Sequence, residues 1–193
     1  MVEQTQDTDQ TKRQVHEAIE KLGEEIPPEA MSLIEKAALQ VALGLAEPKD
    51  ALGLTPDMME AIYQQGYNFF QTGKYRDALT IFNALRYLDI LDGRYTFAIA
   101  ACYHHLKDYT NAAANYLIYR QMDPLNPEAS FHLYDCFFKT QNPTASLFYI
   151  QEALVLAGMD PKYADFKEKI KLETEHLNQY LEKYYKEKYG SAA

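Results

Sequence analysis

The chain has 193 residues, 47% of them hydrophobic, which supplies enough apolar surface for a packed interior and argues against wholesale disorder. A formal net charge of −9 at pH 7 argues against a nucleic-acid binder, which needs clustered Lys and Arg, and against adsorption to an anionic membrane. Two cysteines, Cys102 and Cys136, are too few for a disulfide scaffold and read as buried, reduced thiols.

The opening, MVEQTQDTDQTKR, is polar: residues 1–12 are expected to be flexible and do not read as a signal peptide. No apolar run approaches the roughly 18 residues of a membrane span, so a cytoplasmic protein without direct membrane insertion is expected. Residues 13–54 read as an N-terminal helical region. Val15, Ala18, Ile19 and Leu22 fall at helical spacing before Gly23 and Pro27-Pro28. From Pro28 to Ala46 a second stripe carries Met31, Ile34, Ala38, Val41 and Leu45 on one face. That stripe must bury itself, either on the first repeat or against a second copy of the chain; a homodimer through these five residues is the expectation carried forward. Thr55-Pro56-Asp57 then has the form of a helix start, with Thr55 as the cap.

Residues 55–160 repeat. GKYRDALTIF (73–82) returns 34 residues later as KDYTNAAANY (107–116). At the same interval Gly66 aligns with Ala100 and Tyr134, Phe69 with Tyr103 and Phe137, Ala78 with Ala112 and Ser146, and Phe82 with Tyr116 and Ile150. Small residues and aromatics alternating at this period are the tetratricopeptide signature: small side chains let two antiparallel helices approach, and rings fill the space around them. The period defines three units, about 59–92, 93–126 and 127–160, the third being the least regular. Residues 161–193 hold a long helical pattern with Tyr163, Phe166, Ile170, Leu177, Leu181 and Tyr184 on one face and Lys and Glu opposite, as a capping helix needs. The expected architecture is all-α: three tandem helix pairs forming a concave groove, with N-terminal helices and a C-terminal cap.

The first helix of each unit faces that groove. Once Ile62, Gly66 and Phe69 are assigned to packing, Tyr63, Tyr67 and Phe70 remain as a second stripe. Adding 34 gives Phe97, Ala101 and His104; adding it again gives Phe131, Asp135 and Phe138. These rings form a candidate peptide-binding groove. A clamp for a C-terminal carboxylate would need Lys and Asn at these positions and is not expected. The competing reading is a scaffold joining folded partners. Adjacent His104 and His105 point in different directions, and His132 with Cys136 offers only two ligands at helical spacing. Neither a phosphate loop nor a nucleophile elbow appears, so no metal, cofactor or enzymatic activity is expected.

EAIYQQGYNFF (60–70), GKYRDALTIFNAL (73–85), LDILDGRY (88–95) and the Tyr-rich second repeat carry a closer likeness. Over about 52–160 the chain resembles the class II chaperones of bacterial type III secretion, the SycD, LcrH and IpgC type. The resemblance implies a small acidic cytosolic chaperone that holds an extended N-terminal segment of a hydrophobic translocator in its concave groove. It also implies a dimer through the N-terminal helices, and carries the family's groove aromatics onto Tyr63, Tyr67 and Phe70.

Overall fold

The structure is a computed structural model that describes residues 10–17 and 28–190, the side chains at 28–31 and 189 excepted. The expectations for residues 1–9, for Ala18, Ile19 and Leu22, for the Met31 side chain and for the last three residues lie outside the described residues. Helix α1 is described over 10–17, and α2 spans Pro28–Ala42 and α3 Pro48–Ala51. Six helices then pair in sequence: α4 (Pro56–Gln71) with α5 (Tyr75–Leu88), α6 (Gly93–His105) with α7 (Tyr109–Met122), and α8 (Pro127–Lys139) with α9 (Pro143–Ala157). A 3₁₀ turn, Pro161–Tyr163, leads into the long α10 (Ala164–Tyr189). Among the described residues there is no strand, and no helix is long and apolar enough to cross a membrane.

The period is visible in local chemistry. Helices α5, α7 and α9 begin 34 residues apart, as do α6 and α8. Asp92 and Asn126 cap the first helices of the second and third pairs, accepting from the backbone N–H groups of Arg94 and Glu128. Asp108 and Asn142 cap α7 and α9 in the same manner. Thr55 caps α4 through the Met58 N–H. Between the helices of each pair the chain takes a left-handed residue at one register position: Gly73, Lys107 and Gln141, with φ of 76°, 62° and 58°.

Packing keeps the same register. Gly66 lets α4 and α5 touch: a Cβ there would lie 2.8 Å from the Phe82 ring. Ala100 and Ala112 are fully buried where the second pair meets, beside Tyr116. In the third pair bulk is exchanged across the contact, Tyr134 standing where Gly66 does and Ile150 replacing the aromatic. Arg120 and Ser130 converge on Glu152, tying α7, α8 and α9 together. Burial works to raise the Glu152 carboxyl, but these hydrogen bonds outweigh it and hold the group below the usual carboxylate range.

Pro161 lies 34 residues after Pro127, and α10 occupies the place of a fourth unit's first helix. Ile170, Leu177 and Leu181 bury themselves with Tyr134, Ile150 and Ala153, while Lys and Glu face outward. The stack ends on a helix with one apolar face, as solubility requires.

Candidate functional site

The concave side holds a cavity of about 510 Å³. Its lining includes Phe70 from α4, Phe97, Ala101 and His104 from α6, and Phe131 and Asp135 from α8. Set out as three rows (63, 67, 70; 97, 101, 104; 131, 135, 138), the groove positions enter along a diagonal. The first pair contributes its last member, the second all three, the third its first two. A superhelical stack produces this offset, because each pair is rotated on its neighbour.

Three members of the grid, Tyr63, Tyr67 and Phe138, lie outside that lining. Tyr63 is half-buried against Phe82 and Tyr95, at centroid distances of 5.5 and 5.9 Å, with the Arg94 guanidinium 5.1 Å over its ring. Tyr67 is 43% exposed one turn before Phe70. Phe138 meets Tyr180 of α10 edge-on at 5.0 Å and borders a separate small pocket.

The cavity lining mixes aromatic rings with imidazoles and carboxylates. Phe97 packs edge-on to Tyr116 at 5.5 Å, and the His132 ring lies flat on Tyr116 at 4.9 Å and 9°. Burial, reinforced by neighbouring His104, pushes His132 down to about 4, so it is neutral at pH 7. His104 Nε2 donates to Asp135 Oδ2 at 2.7 Å. Burial works to raise the Asp135 carboxyl, but the hydrogen bond and charge of His104 prevail and hold it below the usual range.

Cys136 Sγ stands 4.0 Å from His104 Nδ1, giving the connectivity of a thiol–imidazole–carboxylate triad. The thiol is fully buried and burial pushes it up to about 12, so it is neither ionised nor reachable. Cys102 is buried and raised to about 12 in the same way. Among the described residues no three His, Cys, Asp or Glu side chains group to hold a metal.

The groove stripe did not anticipate His105, Tyr116, His132, Tyr134, Lys169 and Glu173, which complete the lining. One signal was available: continuing the row 67, 101, 135 by another 34 residues lands on Lys169, so α10 joins the wall as a fourth first-helix. Tyr134 and Phe131 face it. The Tyr134 hydroxyl donates to Glu173 Oε2 at 3.4 Å, and Phe131 meets Phe166 edge-on at 5.2 Å.

Of the N-terminal stripe, Ile34, Ala38 and Val41 line an apolar cavity of about 200 Å³ with Leu52, Tyr87 and Leu88. They therefore face α3 and the end of α5, while Leu33 and Leu45 are exposed. Around the same end Tyr87, Ile90 and Leu91 are exposed too.

Comparison with known proteins gives a consistent picture. No protein-family model matches the chain. It is 29% identical over 129 residues to low calcium response locus protein H of Yersinia pestis, which covers 63% of this chain and 77% of the relative. It resembles PcrH, known from Pseudomonas aeruginosa, in the complex of PcrH with the chaperone-binding region of PopD. There the identity is 30% and the TM-score 0.63, over 66% of this chain and 96% of PcrH. It also resembles the type III secretion chaperone SycD of Yersinia enterocolitica in complex with a peptide of the translocator YopD, at 26% identity and TM-score 0.61 over 65% of this chain and 95% of SycD. SycD is known as an alternative dimer as well.

Proposed function

The chain belongs to the class II chaperones of type III secretion translocators, and from that membership we propose that it binds hydrophobic translocator proteins in the bacterial cytosol. An extended N-terminal segment of the client lies in the concave groove, which keeps the client soluble and competent for secretion. The action is non-enzymatic and independent of ATP: the groove binds the soluble client and draws the equilibrium away from aggregation by mass action.

The observation that carries this reading is the diagonal of in-register positions around the 510 Å³ cavity, with Phe70, Phe97 and Phe131 one to each helix pair. Each large apolar side chain of a client buried there contributes about 1.5–3 kcal/mol. Two or three such anchors supply about 3–9 kcal/mol before association costs of several kcal/mol, short of the roughly 8 kcal/mol of a micromolar complex, so further contacts along the extended segment must supply the rest. That similar proteins are known in complex with the chaperone-binding region of PopD and with a peptide of the translocator YopD supports a translocator segment as the client.

Co-expression tests it. With wild-type chaperone a membrane-active translocator should stay in the soluble fraction. Tyr67→Ala together with Phe70→Ala should cut the soluble client about tenfold while leaving the far-ultraviolet helical signal unchanged. Full protection by the double variant would refute the groove.

One feature favours the scaffold reading as a second use of the same stack. Leu91, Leu125 and Met159 occupy one register position in the turns between pairs and are 80%, 68% and 64% exposed. A folded partner docked along that edge would be lost on changing all three to Ser, with client protection intact.

A further inference from the structure

The end of the cavity nearest α10 differs chemically from the rest. Phe131 and Tyr134 present rings there, 5.8 Å apart, with the Glu173 carboxylate beside Tyr134, and the same lining carries Asp135, which His104 holds at 2.7 Å. Ring faces and carboxylates together stabilise an organic cation, the ring quadrupole acting on one side and the full charge on the other. A cation already stands in that setting: Lys169 Nζ lies 5.1 Å from the Phe131 centroid. Lys169 is exposed, on a flexible four-carbon stem, and so is readily exchanged.

We propose that this end of the groove is a cation subsite for the client segment, in which Lys169 is an intramolecular stand-in that a Lys or Arg side chain of the client displaces. The proposal rests on the groove being the client site. The charge balance selects a basic occupant. Asp135 is already held by the His104 imidazole at 2.7 Å, so Glu173 is the carboxylate left to meet an incoming cation in place of Lys169, and the net charge of −9 on the chain draws a positive segment toward the mouth. An acidic client residue could pair with Lys169 only by approaching Asp135 and Glu173. Arginine suits the place best: its planar guanidinium can lie over a ring and still offer donors to a carboxylate at its edge.

The test uses the full chain and fluorescein-labelled synthetic peptides, alike in carrying leucines for the aromatic walls and differing at one scanned position: arginine, uncharged citrulline or glutamate. At its best position the arginine peptide should bind about fivefold tighter or more than its citrulline counterpart. That advantage should vanish in the Asp135→Asn, Glu173→Gln double variant and grow in Lys169→Gln. Equal binding of arginine and citrulline peptides at every position, or tighter binding of the glutamate peptide, overturns the cation subsite and leaves the groove standing. Absence of binding by any peptide removes the groove itself and the subsite with it. Should the double variant lose helical signal, the citrulline comparison and Lys169→Gln decide alone.

Discussion

Close packing at single residues has measurable cost. Gly66→Ala would drive a methyl against the Phe82 ring, which is 1% exposed and has no room to withdraw. We expect a loss of about 1–3 kcal/mol in urea unfolding. Charge placement has its own signature at His132. Its folded pKa of about 4 lies below the unfolded value near 6.5, so the unfolded chain takes up the proton first. The stabilisation is complete above about pH 6.5 and is lost as pH falls through about 4, amounting to roughly 3 kcal/mol. His105, lowered by burial and by His104, adds in the same direction, whereas Asp135 acts only below the ordinary carboxylate value. Unfolding curves at pH 7.5, 6 and 5 should show the decline, and His132→Phe should flatten most of it; an unchanged slope would place His132 in water.

Among the elements, α10 does more than close the stack. Its inward face of Ile170, Leu177 and Leu181 completes the core of the third pair, and Lys169 and Glu173 on the same helix complete the groove. Ile170→Ala should therefore cost about 2–4 kcal/mol, while Leu172→Ala, on the outer face, should stay within about 0.5 kcal/mol. Equal effects of the two, read by thermal unfolding, would mean that α10 is only loosely docked. The apolar face of this helix was legible in the sequence because burial imposes a period. Its two groove residues were not, because a Lys and a Glu on an amphipathic helix look the same whether they face bulk water or a cavity. The turns were legible in part: Gly73 announces its left-handed conformation, whereas Lys107 and Gln141 adopt it without any residue preference to betray it.

For the molecule as a whole, the all-helical stack could be read from the sequence because pairs of helices at close range demand a small residue at fixed intervals, as at Gly66, Ala100, Ala78 and Ala112. The rotation between pairs leaves no mark on a one-dimensional period, which is why the lining runs diagonally and passes by Tyr63, Tyr67 and Phe138. Association belongs to this scale as well. We propose a homodimer through the N-terminal stripe, with the exposed Leu45 at the contact, since Ile34, Ala38 and Val41 already turn toward α3 and α5. Leu45→Glu should shift sedimentation at micromolar concentration from dimer to monomer; a wild-type chain that is monomeric with full protective activity would dispose of it. The two sealed thiols, one in α6 and one in α8, turn the centre of the stack into its own clock. A thiol reagent in native buffer can reach Cys102 or Cys136 only during a breathing event, so the labelling rate counts openings directly. An occupant of the trough would slow that count without touching either sulfur.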